Sequence, residues 1–547
     1  MDPVIVVGAG PVGLTLALAL AGAGVPSVVL DEGPGKEESR PARTVVLHAD
    51  TAAMVHRLGC TTLRDEGAPF AAWRTTRRGR DTRRVTFEDT TAPLHLPQHA
   101  LTRGLRDAAA AHPLVQLVTD SRLDALEQDA LGVTAHTRGA AATWWRGSHL
   151  VGCDGARSTV RKLLGIRFPG RTAVERHAVA ALRTELPWPG EALLHRSRSA
   201  KTAEVTARPL PDGVWRLDWL LPPRGDLVTP DALIGMIRDT LAGWCGGSTP
   251  PYELIDTGVY TLHHRLARRW RDGRAFLAGD AAHLLGALGT QGVEEGLRDA
   301  ENLAWRLSLA WHQGASEALL DGYEAERRTA VASRLRAADQ AMPVLRGGGG
   351  LRTYVPGAAR SHETLLTDGH LGRGPLGAPP AYAPPVAVRE VPTDTPPGGQ
   401  AANVPVTAPD GATVPLRDLL GRGRLLVLLV APGTGVWDRR HWVGAGLMPR
   451  LEAAVGALPV RAELLVADGY PGAAAHTVLL LRPDGHLAAT FAGVRPAELY
   501  EAADAVRAGA PESALPALPA PGPGSGSGSG QAAGPRALPE ASATPHP

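Results

Sequence analysis

Three short glycine and aspartate segments, far apart in the chain, carry the residue types that bind phosphates and sugar hydroxyls. The first is Gly8-Ala9-Gly10-Pro11-Val12-Gly13, placed between an apolar run and a helical pattern. There Gly8 permits a tight turn, Gly10 lets backbone approach a pyrophosphate, and Gly13 lets the helix pack on the strand. The helix that Pro11 and Val12 open offers free N–H groups and a dipole that favour negative charge. Asp31 ends the next apolar strand, 18 residues after Gly13, with Glu32 beside it; a carboxylate there accepts a ribose hydroxyl. The second segment is Cys153-Asp154-Gly155-Ala156-Arg157, and the third is Gly279-Asp280-Ala281-Ala282-His283. Each follows a short apolar strand. Asp-Gly after a strand is also an ordinary turn, so the weight lies in the order and spacing of all three.

The elements that must position these residues follow from hydrophobic periodicity. Val4–Val7 reads as a buried strand, Pro11–Ala21 as a helix and Val28–Leu30 as the next strand, a βαβ unit with its glycines at the first turn. Leu150–Gly152 and Ala275–Ala278 read as strands before the other two segments, and Gly292–Trp311 as a long amphipathic helix, followed by another over about 315–340. Residues 171–269 are poorer in helix signals and alternate, as in Trp215-Arg216-Leu217-Asp218-Trp219, which predicts a β-rich layer. Trp215 and Trp219 share one strand face and are candidates to line a flat aromatic pocket, although core packing is the ordinary outcome of such alternation.

The fold class expected is α/β: a Rossmann-like nucleotide domain in two pieces, 1–170 and 270–345, the β-rich layer 171–269, and a Pro/Gly-rich linker 346–400. A thioredoxin-like domain over 401–510 would follow, then a disordered low-complexity tail over 511–547. The thioredoxin-like reading rests on the order of Leu425–Val430, Leu447–Leu458, Ala462–Val466, the paired runs 476–481 and 486–489, and a helix near Pro496–Ala508. No cysteine follows Cys245, so dithiol chemistry is impossible there.

Composition narrows the classes. The chain has 547 residues, beyond a single ordinary core, and 57 Lys+Arg against 55 Asp+Glu, which points to no nucleic-acid or polyanion partner. Cys60, Cys153 and Cys245 have no metal-ligand or CxxC spacing, which fits a reducing cytoplasm. The apolar start lacks a basic leader and is broken by glycines, so neither a signal peptide nor a membrane span is expected.

Taken together the three segments resemble the class A flavin monooxygenases, the para-hydroxybenzoate and aromatic polyketide hydroxylases. The resemblance covers most of the chain to about 510, and includes Gly296-Leu297-Arg298-Asp299-Ala300 and Asn302-Leu303-Ala304-Trp305-Arg306-Leu307. It implies FAD, with the pyrophosphate at Gly8–Gly13, the ribityl chain at Gly279 and Asp280, and further contacts at Arg43 and Gln98. Asp154 and Arg157 would lie near FAD in a motif linked to NAD(P)H use. Gly289, Gln291, Gly292 and Val293 would place a helix N-terminus at the pyrimidine edge of the isoalloxazine. The implied reaction is NAD(P)H reduction of FAD, then O2 activation as a flavin C4a-hydroperoxide that oxidises a bound polycyclic aromatic, by hydroxylation or Baeyer–Villiger insertion. No residue identifies itself as a catalytic base. Homo-oligomerisation is left open.

Two departures weigh on the oxygen chemistry. Where relatives carry a Pro pair and then Gly-Gly, this chain has Gly286, Ala287, Gly289 and Thr290; where they carry Asn, it has Glu294. A carboxylate beside the flavin would oppose its anionic reduced form, unless the side chain turns away. These departures keep a second reading in view, an FAD-binding protein with altered or lost oxygenase activity that acts as a non-oxygenating tailoring enzyme or assembly partner. A flavin-dependent halogenase is disfavoured, since its Trp-x-Trp-x-Ile-Pro run is absent.

Overall fold

The computed structural model describes residues 1–508 except 78–79, 90, 141–142, 197–203, 223–226, 287–290, 315, 346–363, 365–366, 384–390 and 433–446. At 173, 341–345 and 447 only the backbone is described. Gly289, much of the expected linker and the expected tail therefore lie outside the described residues.

The βαβ unit forms as expected. Val4–Val7 sits at the centre of a six-stranded sheet in the order Arg271–Asp272, Ala275–Leu277, His149–Gly152, Val4–Val7, Ser27–Leu30, Val115–Val118. All but the first strand run parallel. Val4–Val7, Ser27–Leu30 and His149–Gly152 are buried at every position, because helix Pro11–Gly22 packs on one face and the three-stranded sheet Ser121–Gln128, Val133–Gly139, Trp144–Gly147 on the other, which leaves no solvent side to alternate with. This parallel arrangement brings the three glycine-bearing turns, after Val7, Gly152 and Leu277, to one edge. Pro11–Gly22 and the 23-residue helix Gln291–Gln313 pack against each other over that edge.

A second sheet of eight strands runs His283–Leu284, Glu253–Leu266, Gly170–Arg183, Val214–Leu221, Glu204–Pro209, Glu191–Arg196, Ala72–Arg77, Arg80–Thr86. The β-rich layer expected from 171–269 is present and recruits strands from both sides of that range. Helix Pro230–Trp244 lies on its outer face, over Trp215, Leu217 and Trp219. The opposite face, with His177, Arg216 and Asp218, looks inward.

The long helix expected over 315–340 is interrupted. Glu317–Tyr323 passes into a π-helical turn, Glu324–Arg328, before Thr329–Leu345. The wider turn lets Glu324, Glu326 and Arg327 all reach partners: Glu324 accepts from the Trp270 N–H, Glu326 pairs with Arg482, and Arg327 pairs with Asp299.

In the C-terminal region Leu425–Val430 pairs parallel with Ala462–Ala467 and antiparallel with Thr477–Leu481, which forms a hairpin with Leu487–Ala492. Helices Leu447–Gly456 and Pro496–Val506 complete the order read from the sequence. This layer shares an apolar core with Trp305, Leu309 and Leu319. Beside that core, Arg482 bridges Glu326 at 2.7 Å and Asp484 at 2.6 Å, and Trp305 Nε1 donates to Asp484 at 3.1 Å.

Candidate cofactor and substrate site

A cleft of ≈ 760 Å³ runs from the glycine loop (Gly10, Pro11 and Val12) past Arg43 and Gln98 to Asp280, Gly292 and Val293. Its other wall is the strand 256–263 of the eight-stranded sheet, with Val179 and Arg216 behind it. The loop has the form a pyrophosphate requires. Gly8 has φ +102°, and a Cβ there would lie 2.6 Å from the Cys153 carbonyl oxygen; a Cβ on Gly13 would collide with the Gly8 carbonyl. A Cβ on Gly10 meets nothing within 4 Å, and the helix it caps has no side-chain cap. Open space thus faces uncapped N–H groups at a helix start, which is what an anion fills.

At the other end, Asp280 opens into the cleft. The turn that presents it is anchored by Asp299, which accepts from the Gly279 N–H at 3.0 Å and from Arg327 Nε at 2.8 Å, and lies 2.8 Å from His283 Nε2. Arg43 Nε donates to Gln98 Oε1 at 3.0 Å, so these two face the cleft as a pair.

Other candidates sit elsewhere. Asp31 lies behind the loop, within 3.5 Å of Arg106, whose guanidinium also donates to the Ala9 carbonyl at 3.2 Å and to Glu37 at 3.2 Å. Arg106 was not legible as a site residue: it is one polar position on an amphipathic helix. Glu32 is exposed, 3.8 Å from Arg122. Asp154 turns back to accept from the Thr159 and Val160 N–H groups at 2.6 and 3.0 Å, which leaves Cys153, Gly155 and Ala156 to line the cleft. Arg157 is exposed and outside the lining. Gln291 is buried, with its amide donating to the Leu376 carbonyl rather than facing the cleft.

The expectation that Trp215 and Trp219 line a substrate pocket is overturned. They are 5% and 0% exposed, packed under helix Pro230–Trp244, and Trp219 Nε1 donates to Thr240 at 3.0 Å. The alternation was read correctly, but the apolar face serves the outer helix and the polar face serves the cleft. Arg271 is also buried, pairing with Glu317 and Asp321.

Of the departures the structure accounts for Gly286 and Glu294, while Ala287, Gly289 and Thr290 lie outside the described residues. A Cβ on Gly286 would collide with His264 and lie 2.7 Å from Glu175 Oε1, so a larger residue would have to displace these side chains. Glu294 turns away from the cleft: it accepts from the His48 N–H at 3.0 Å and from Thr51 Oγ1 at 2.8 Å, and lies 2.8 Å from His48 Nδ1 and 3.5 Å from Arg298. Burial acts to raise its pKa, but His48 and Arg298 outweigh it and hold the carboxyl down at about 2.

Facing the cleft across the sheet is a network of buried charge. Tyr260 and Arg216 line the cleft; the Tyr260 hydroxyl donates to Asp218 at 3.0 Å and Arg216 donates to the same carboxylate at 2.9 Å. Asp218 is 2.6 Å from His177 Nδ1, and Glu175 is 3.2 Å from His177 Nε2. Burial works to lower the His177 pKa, yet these two carboxylates push it up to about 10. Asp218 is correspondingly held far below the usual carboxylate range. His177, Arg216 and Asp218 keep fixed charges at neutral pH, so they form a rigid wall rather than a titrating base. Among the described residues no cluster of His, Cys, Asp and Glu has metal-binding form, and no helix is long and apolar enough to cross a membrane.

Residues 1–338 match the FAD-binding domain family. A 3-(3-hydroxy-phenyl)propionate/3-hydroxycinnamic acid hydroxylase of Mycobacterium sp. (strain JLS) is 30% identical over 334 residues, covering 59% of this chain and 57% of that protein. The chain thus spans little more than half the length of such relatives. A 12-dehydrotetracycline 5-monooxygenase/anhydrotetracycline 6-monooxygenase of Streptomyces rimosus is 31% identical, covering 89% of this chain and 95% of its own. The fold is also that of the flavin-dependent monooxygenase PieE, solved with FAD and substrate, at a TM-score of 0.73, 22% identity, and coverage of 93% of this chain and 99% of the other.

Proposed function

Since the chain belongs to the FAD-binding domain family, among the class A flavin monooxygenases, we propose that the cleft holds FAD and that the protein is an NAD(P)H-dependent monooxygenase of polycyclic aromatic compounds. The observation that carries this reading is the single cleft joining Gly10, Arg43, Gln98, Asp280 and Gly292. The N–H groups after Gly10 would hold the pyrophosphate, with Asp31 and Arg106 bracing the adenosine end. Asp280 would accept the ribityl hydroxyls, and Gly292 and Val293 would meet the isoalloxazine at a helix start whose dipole favours electron-rich flavin. When bound, FAD supplies the electron transfer from NAD(P)H and the O2 chemistry. The protein's own residues orient the ring system, exclude water and hold fixed charge in the wall beyond it. Match across nearly the whole anhydrotetracycline enzyme supports the polycyclic class of substrate. The C-terminal layer, thioredoxin-like in element order and without cysteines, would act as a brace for the helix Gln291–Gln313.

The test is direct. Purified protein should be yellow with stoichiometric non-covalent FAD, and should consume NAD(P)H and O2 faster when a polycyclic phenol is present. A colourless protein that ignores added FAD would defeat the cofactor assignment. Bound FAD with no turnover across a phenol panel would favour the non-oxygenating alternative.

A further inference from the structure

Away from the cleft, a cavity of ≈ 260 Å³ lies in the seam between the helices that cover the six-stranded sheet and the C-terminal layer. Leu18 and Ala19 of helix Pro11–Gly22, Met54 and Leu58 around the end of helix Ala49–Arg57, and Trp305 of helix Gln291–Gln313 give it apolar walls. Leu420 closes it from the C-terminal side. Asp418 and Arg422 stand exposed at its rim, so it opens to solvent. It shares no lining residue with the cleft.

One ion pair faces this apolar space. Arg57 Nη2 donates to Glu301 Oε1 at 2.8 Å, and both residues line the cavity and a pocket of ≈ 20 Å³ beside it. Among the described residues that is the one hydrogen bond either side chain makes, which leaves Nε and Nη1 of Arg57 and Oε2 of Glu301 unspent. The neighbouring pair is saturated by contrast: Arg482 donates to both oxygens of Glu326 and to both oxygens of Asp484. The side chains of Arg57 and Glu301 are only 11% and 17% exposed, and a half-used pair at that depth is costly.

The two halves of the pair differ in what they can give up. A guanidinium keeps its proton in a protein. Glu301 can take one, because burial pushes its pKa up to about 7, against Arg57 and with the charges of Asp484 and Asp50. The groups around it are Asp50 and Arg57 on helix Ala49–Arg57, Arg298 on its own helix, and Arg417, Asp484 and His486 from the C-terminal layer. His112 faces the cavity from the end of the helix Gln98–Ala111. Proton uptake can therefore make the cavity net positive, whereas nothing comparable makes it net negative. That asymmetry selects an anion.

We propose that the seam cavity binds a small monocarboxylic acid with an apolar body of one or two rings, its carboxylate held by Arg57 while Glu301 takes a proton from solvent and donates it in a hydrogen bond to the ligand. The bound acid touches Pro11–Gly22, Gln291–Gln313 and Leu420 together, so it fastens the C-terminal layer to the two helices that meet at the cofactor cleft. The site is separate from that cleft and stands whether or not the flavin reading holds.

The probe is 2-naphthoate, titrated calorimetrically into the full chain as purified. The wild type should bind it with net proton uptake, seen as heats that change with the ionisation enthalpy of the buffer. Affinity should fall as pH climbs above about 7, where the probe itself stays ionised. Glu301→Gln should bind at least as tightly, with neither proton uptake nor pH slope. Arg57→Met should lose about tenfold or more, as for a lost hydrogen bond to a charged group. Gly22→Leu fills the cavity from the helix end, where a Cβ meets only the Gly421 carbonyl oxygen, at 3.7 Å, and should abolish the site. Should Arg57→Met fail to fold, Gly22→Leu and Glu301→Gln decide the matter. A wild type that does not bind, binding without proton uptake, or binding unchanged in Gly22→Leu, as occupation of the cleft would give, overturns the proposal.

Discussion

The glycine loop and the sheet wall that face each other across the cleft are built in opposite ways. The loop is backbone: its helix is uncapped and the space in front of Gly10 is open to 4 Å. The wall is side chain: Arg216, Asp218, Tyr260, His177 and Glu175 spend their polar atoms largely on one another. A surface with open donors is completed by a ligand, whereas one satisfied internally is completed by folding. Damage to the loop should therefore be read in cofactor affinity, and damage to the wall in stability.

The largest effect expected from that contrast is Asp218→Asn. It leaves Arg216 and His177 buried with their shared charge partner gone, which costs about 3–5 kcal/mol in urea unfolding. It should also change the response to alkali. The folded His177 pKa is raised from 6.5 to about 10, so its contribution is complete below 6.5 and is lost as pH climbs through about 10. The wild type should lose stability across that window, and the variant should lose much less. Flavin per folded molecule should hold. If FAD affinity falls instead and stability does not, the division between wall and loop is wrong.

Within the loop two glycines sharpen the comparison. Gly13→Ala drives a methyl into the Gly8 carbonyl and should cost about 3 kcal/mol or more, since backbone has nowhere to move. Gly10→Ala adds the same methyl to open space. Its melting temperature without FAD should match the wild type, while FAD affinity falls about tenfold or more, as for a lost charge-assisted hydrogen bond. Equal FAD affinity in Gly10→Ala would mean that the pyrophosphate lies elsewhere.

The same contrast explains what could be read in advance. The loop was legible because backbone geometry restricts residue type: a turn followed at once by close helix packing admits glycine at Gly8 and Gly13. The six-stranded sheet was legible for a related reason, its strands being apolar runs of a few residues. The wall was not. Arg216 and Asp218 were visible only as the polar half of an alternation, and nothing in one strand tells which face meets a helix and which meets a ligand. His177 and Tyr260 come from strands far apart in sequence, and Arg106 and His48 join the site through tertiary contacts alone. Trp215 and Trp219 were placed on the wrong side of the sheet because an aromatic face and a binding face look alike until the helix Pro230–Trp244 is docked. The π-turn at Glu324–Arg328 likewise leaves no trace in hydrophobic spacing.

The smallest effect expected concerns Glu294, which belongs to neither surface. Beside the flavin its carboxylate would disfavour an anionic reduced ring, and its removal would raise the reduction potential. The geometry argues otherwise: both oxygens are held by His48, Thr51 and Arg298, and the side chain does not line the cleft. His48 shares the arrangement, since burial would lower its pKa and Glu294 raises it. Glu294→Gln should therefore leave the flavin potential unchanged and cost about 1–3 kcal/mol at neutral pH, the worth of hydrogen bonds to a charged group. The acid side gives a second measurement. The Glu294 pKa is lowered from 4.5 to about 2, so its contribution is complete above 4.5 and disappears as pH falls toward 2. Stability of the wild type should drop through that interval, and the Gln variant should be flatter there. A potential that shifts while acid stability stays at the wild-type level would place this carboxylate at the flavin after all, and would make the departure from the family a functional one.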